Sequence, residues 1–158
     1  MTKNLYLTFV LALLCAGSLL AQVRINEYSA ANWQQFTDNY GKTEDWVELH
    51  NAGAADANIG GWGFTDDDTK LQKWQFPAGT IVPAGGYLLV WCSKRNEVSG
   101  GHYHTNFSLT QTKNNDKLVL SQPNGVIVDT RTLVTTQVHQ SLCRSTDGGS
   151  VWRICTVP

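Results

Sequence analysis

Asp45-Trp46-Val47-Glu48-Leu49-His50-Asn51, laid out as an extended chain, places Val47 and Leu49 on one side and Trp46, Glu48 and His50 on the other. That alternation spells a half-buried strand. On either side of it, other short apolar runs are cut off by glycine, proline and asparagine. They are Gly61-Trp62-Gly63-Phe64, Trp74-Gln75-Phe76-Pro77, Gly85-Gly86-Tyr87-Leu88-Leu89-Val90 and His104-Thr105-Asn106-Phe107. Strands of this length, with turn chemistry about every eight to twelve residues, build an antiparallel sandwich or barrel. Strands are expected over 23–28, 45–51, 62–65, 73–76, 86–93, 117–121 and 126–131, with short final ones over 141–144 and 151–155. In Gln122-Pro123-Asn124-Gly125 the Asn-Gly pair suits positive φ at both central turn positions, which predicts a hairpin between 117–122 and 126–131. After residue 21 no stretch sustains helical periodicity, so the chain reads as all-β.

The first residues follow a different grammar. Lys3 precedes an apolar run over 5–14, followed by the small residues Ala16, Gly17, Ser18 and Ala21. This is the pattern of a secretory signal peptide, expected over 1–21, with a cut after Ser18 as the alternative to one after Ala21. The run is shorter than the roughly 20 apolar residues a membrane span takes, so no span is expected once the signal is removed. A lipoprotein reading with Cys15 acylated is weaker, because Leu14 stands where a small residue is wanted. Residues 22–158 then form one domain, large enough for its own core. The formal charge of the whole chain is −1, and losing Lys3 makes it more acidic. Nothing basic enough to hold a nucleic acid backbone remains.

Cys15 leaves with the signal, so Cys92, Cys143 and Cys155 remain. Cys143 and Cys155 flank the turn-rich Ser145-Thr146-Asp147-Gly148-Gly149-Ser150, which can fold two short strands into a hairpin and bring the sulfurs together; that disulfide is the preferred pairing. Cys92, in an apolar strand, is expected to be a buried free thiol.

In order along the chain, the motifs resemble those of the lamin tail domain family, an immunoglobulin-like antiparallel β-sandwich found in nuclear lamins and in secreted bacterial proteins. The resemblance runs over about 23–148. It rests on Ile25-Asn26-Glu27, Asp45 to Leu49 with Asn51 and Gly53, Ile59-Gly60-Gly61-Trp62 with Asp66, Trp74-x-Phe76-Pro77-x-Gly79-Thr80 and Gly85-Gly86-Tyr87. It continues through His104-Thr105-Asn106-Phe107-x-Leu109, the Asn124-Gly125 turn with Asp129, and Ser141-x-x-Arg144 before Asp147-Gly148. Cys143 stands where the family usually has glycine, and Asn115-Asp116 replaces a usual Gly-Glu. The resemblance implies an accessory, non-catalytic module, such as those beside secreted nucleases, phosphatases or spore-coat-kinase-like domains.

Each candidate site has a plainer reading beside it. Asp66-Asp67-Asp68 offers oxygens to calcium, but it lacks the alternating spacing of a calcium loop, and a solvated turn is preferred. His102 and His104, two apart, could share a zinc or copper ion; no third ligand is evident, and a structural role for His104 is preferred. The pairs Glu27 with Glu48 and Glu44 with Asp45 invite an acid and base reading, yet no cleft is indicated, so no enzyme and no cofactor is expected. Of the six tryptophans, Trp46, Trp62 and Trp74 fall at family positions and read as core. Trp33, Tyr40 and Tyr103 lie on predicted loops, over 29–44 and 96–103, and are the expected contact residues. The function expected is an extracellular or cell-surface interaction module whose partner is a protein or a glycan. The alternatives are a carbohydrate-binding module, or the accessory domain of a larger secreted enzyme.

Overall fold

In the computed structural model, which describes residues 22–33, 37–112 and 116–156, thirteen strands form three sheets. The signal expected over 1–21 lies outside the described residues. In chain order the strands are β1 (Val23–Ser29), β2 (Asp45–Asn51), β3 (Ala57–Asn58), β4 (Gly63–Thr65), β5 (Trp74–Gln75), β6 (Ile81–Val82) and β7 (Tyr87–Cys92). They continue with β8 (Glu97–Ser99), β9 (His102–His104), β10 (Lys117–Ser121), β11 (Ile127–Thr132), β12 (Ser141–Arg144) and β13 (Trp152–Cys155). The large sheet has the order β13-β12-β1-β2-β7-β9-β8, the second β11-β10-β4-β5, and β3 pairs with β6. No helix among the described residues is long and apolar enough to cross a membrane.

Alternation along the strands builds the core. Val23, Ile25 and Tyr28 of β1, Val47 and Leu49 of β2, and Val90 and Cys92 of β7 meet Phe64, Trp74, Phe76, Phe107, Leu118 and Leu120 in one cluster. Tyr28 is buried, and its hydroxyl accepts the Val134 backbone N–H at 3.0 Å. At the seam between the two larger sheets lies a buried ion pair. The Arg144 Nη2 donates to Asp129 Oδ2 at 2.7 Å, its Nε donates to the Ile25 carbonyl at 2.7 Å, and its Nη1 donates to the Gly149 carbonyl. The same Asp129 oxygen accepts the Ile25 N–H at 3.0 Å. Ile25 can offer both groups sideways because a bulge between Ile25 and Glu27 interrupts the β1–β2 ladder.

Several expectations need correction. The 122–125 turn does join β10 to β11, but only Gly125 has positive φ, at 83°. Pro123 fixes a negative φ at the first central position. Gly125 N–H therefore closes the turn onto the Gln122 carbonyl at 2.9 Å, and the left-handed Gly125 makes the bulge seen as a register shift after Leu120. The predicted loop over 96–103 is instead a hairpin of β8 and β9, turned by Gly100-Gly101 with φ of 58° and 84°. Strand β9 then runs parallel to β7, with Val90 opposite Tyr103 and Trp91 opposite His104. Strand β2 is not half buried: Trp46, at 2% exposure, and His50, at 7%, are covered on the face opposite the core.

Candidate functional site

Ser29 pairs with Trp46, and Trp46 with Trp91, so β1, β2 and β7 end level at one rim of the large sheet. The loop over 30–44 leaves from this rim. Asn32 Nδ2 donates to the Glu44 carbonyl at 2.8 Å and closes its neck. Asp38 shapes the far half, its Oδ1 accepting the backbone N–H groups of Tyr40 and Lys42, both at 2.8 Å. That turn aims Asn39 and Tyr40 at the sheet.

There they meet His104. Asn39 Oδ1 can only accept, so His104 Nε2, 2.8 Å away, carries the proton, and Nδ1 accepts the Ser93 hydroxyl at 2.9 Å. Burial holds the His104 pKa below its ordinary value, with Asp38 and Glu97 pulling the other way. The Tyr40 ring lies on His104, centroids 5.6 Å apart, and carries the Arg95 guanidinium 4.3 Å from its centroid. Arg95 Nε in turn faces Asp38 Oδ2 at 3.8 Å. Ser93, His104 and Asn39 have the connectivity of a nucleophile, base and orienter. However, the base is fully buried under Tyr40, which closes the path a leaving group's proton would need. The trio works as a bolt for the loop.

A second network sits at the opposite end of β2. Asn26, the bulged residue of β1, donates through Nδ2 to Glu48 Oε1 and to Asp147 Oδ1, both at 3.0 Å, and its Oδ1 accepts the Gly148 N–H at 3.2 Å. Tyr87 donates its phenol to Asp147 Oδ2 at 2.5 Å and stacks on His50 with centroids 4.7 Å apart. Those bonds from Tyr87 and Asn26 hold the Asp147 carboxyl below its usual range, while the Tyr87 phenol is pushed up to about 12 by the same contact. Glu27 and Glu48 face each other across β1 and β2. Burial raises both; the Ser141 hydroxyl, 2.5 Å from Glu27 Oε1, and the Asn26 amide offset part of this.

The structure separates the three aromatic contact residues predicted from the sequence. Trp33 stands 63% exposed on the loop, whereas Tyr40, 42% exposed, packs at a tilt against His104 and carries Arg95 over its ring. Tyr103 is on β9 rather than in a loop. It is half-buried, with its ring packed near Phe76 at 6.3 Å. Strand alternation explains the difference: His104 faces Tyr40, so its neighbour Tyr103 must turn to the core.

The remaining candidates are spread over the fold. Asp66, Asp67 and Asp68 pair with Lys73 (2.5 Å), Lys70 (3.5 Å) and Lys117 (2.7 Å) respectively. Among the described residues no group of three or more His, Cys, Asp or Glu is placed to hold a metal. Asp45 is raised to about 6, chiefly by burial and also by Glu44, against a hydrogen bond from the Leu109 backbone. Cys143 and Cys155 are bonded across β12 and β13, with Cα atoms 6.0 Å apart. Cys92 is a free, buried thiol with its pKa pushed up by burial. Sequence reading left Asn39, Ser93 and Arg95 out of the site and met Asp147 only as a family position. Their partners lie far off in the chain, and only the Asx-turn residues around Asp38 gave a local sign.

Residues 18–135 match the sequence model of a family described as Lamin Tail Domain. That stretch ends before β12, so the disulfide hairpin lies beyond it, whereas the resemblance read from the sequence ran to Gly148. A comparison with curated proteins found no match.

Proposed function

Because the chain belongs to the lamin tail domain family, an immunoglobulin-like and non-catalytic one, we propose that this protein is an exported interaction module. It contacts an extracellular or cell-surface partner through the loop over 30–44. The observation that supports this reading most is Trp33, a large apolar side chain 63% exposed on a loop whose far half is fixed to the sheet through Asn39 and His104. A ring held out from an anchored loop loses little freedom on binding, which is what a contact surface needs. Export is supported by Lys3, the apolar run over 5–14 and the small residues up to Ala21. The exposed indole also suits a sugar ring, so a glycan is the second partner class to test.

Pull-down from cell-surface and medium fractions with the native chain and with Trp33→Ala is the direct test. Loss of the captured partner, with unchanged thermal stability, is expected. Equal capture by both proteins would move the contact surface elsewhere. N-terminal sequencing of the extracytoplasmic protein should begin at Gln22 or Leu19; an intact Met1 there would defeat the export reading.

A further inference from the structure

We propose that Arg95 is the anion-reading group of this loop end and that its ligand is a uronate-bearing polysaccharide; this rests on the reading of the 30–44 loop as the contact surface. Three observations converge on Arg95. Its guanidinium lies over the Tyr40 ring at 4.3 Å. Its Nε side faces the buried Asp38 carboxylate at 3.8 Å. Lys94 and Asn96 on either side of it have left-handed φ of 64° and 56°, a conformation that non-glycine residues rarely hold. The chain therefore bends sharply off β7 and carries Arg95 in an exposed turn with Lys94, Asn96 and Glu97.

With the plane fixed by Tyr40 and one edge by Asp38, the two terminal nitrogens form the remaining edge of the fork. Among the described residues they make no hydrogen bond. A planar guanidinium held in this way pairs with a carboxylate through two parallel bonds, at little further cost in side-chain freedom. Arg95 and Trp33 also leave the same rim, from β7 and β1, which flank β2. A glycan would meet this end with one ring on the indole and a carboxylate on the guanidinium. Asp38 beside Arg95 and Glu97, exposed two residues beyond it, are the nearby charges that oppose an acidic ligand, while the adjacent exposed Lys94 favours one.

Calorimetric titration with oligogalacturonate, with neutral maltoheptaose and poly-glutamate as comparators, tests the proposal. The native chain should bind oligogalacturonate, weaken as salt is raised, and ignore the neutral sugar. Arg95→Lys keeps the charge but loses the fork and should weaken binding about tenfold, while Glu97→Gln should tighten it. Melting curves check that each variant is folded. Unchanged affinity in Arg95→Lys, or equal affinity for maltoheptaose, overturns the proposal. Poly-glutamate binding as tightly as the glycan would replace sugar by acidic peptide and overturn it as well. If oligogalacturonate fails to bind while capture from cell-surface fractions still depends on Trp33, the acidic ligand is wrong and the contact surface stands.

Discussion

The two ends of β2 hold their loops by opposite chemistry. At the Asp45 end, a neutral histidine, two neutral polar side chains and a stacked tyrosine fasten the 30–44 loop. At the Asn51 end, three carboxyl groups, an amide and a phenol gather around the 145–151 loop. The difference appears in how each end takes up protons. His104 has a lowered pKa, so the unfolded chain binds its proton first: this contribution is complete above about 6.5 and is lost as pH falls through the folded value. Glu27 and Glu48 are raised, so their sign is reversed. They favour the folded state on acidification below their folded values, and that gain disappears as pH rises through those values. Asp147, lowered, stabilises above its unfolded value and fails only in stronger acid. Asp45 complicates the first end, because it is raised to about 6 and partly cancels the histidine there.

The largest expected effect comes from beneath the second end, where Arg144 binds both Asp129 and the Gly149 carbonyl of the latched loop. Asp129→Ala strands a buried guanidinium and should cost about 3–5 kcal/mol in denaturant unfolding. A loss confined to the 145–151 loop in hydrogen exchange would show that the latch, not the sheet seam, depends on this pair. Next, His104→Ala removes the bolt, leaves Asn39 and Ser93 without their partner and hollows the space under Tyr40. About 2–3 kcal/mol should be lost, with amide protection falling first over 37–44. Uniform loss across all strands would mean that the loop and sheet are not separable.

Asp45→Asn sharpens the contrast. It keeps the acceptor for the Leu109 N–H and removes a carboxylate that folding desolvates, so stability at pH 7 should rise by roughly 1–2 kcal/mol. The slope between pH 4 and 6 should then tilt toward the histidine's sign; an unchanged slope would remove Asp45 from the account. Tyr87→Phe is the mildest change, costing under about 1 kcal/mol at neutral pH because the phenol and its carboxylate partner face solvent. Its clearer mark is an Asp147 carboxyl titrating at higher pH by NMR. A static Asp147 signal would deny the phenol its role.

Much of the fold was legible because short apolar runs are bounded by turn residues: β2, β10 and β12 occupy the ranges the sequence predicts. The strands β3 and β6, at two residues each, carry no period to read. In β9 the local cue was a glycine pair, but its parallel partner β7 is set by the large sheet and not by any neighbouring residue. The site was legible only in its exposed half. Trp33 follows from loop placement, whereas Tyr40 packs against His104 of β9 and Arg95 of the β7–β8 turn. Asn39 and His104 meet across 65 residues of chain, and no spacing rule reaches that far. Family motifs pointed to many positions that proved structural: Asn51 donates to the carbonyls of Ala55 and Val82 and accepts the Gly53 N–H.

Cys92 lies in the core beside Val90, while the bonded pair occupies the last two strands of the large sheet. In an oxidising compartment, a chain that has shed Cys15 with its signal would display three thiols, and two of their three pairings are wrong. Correct pairing is favoured when β7 packs over Cys92, or β12 and β13 meet, before Cys92 reaches either of the other two sulfurs. Slow collapse gives scrambled isomers, and Cys92→Ala should raise the yield of correctly bridged protein from oxidative renaturation.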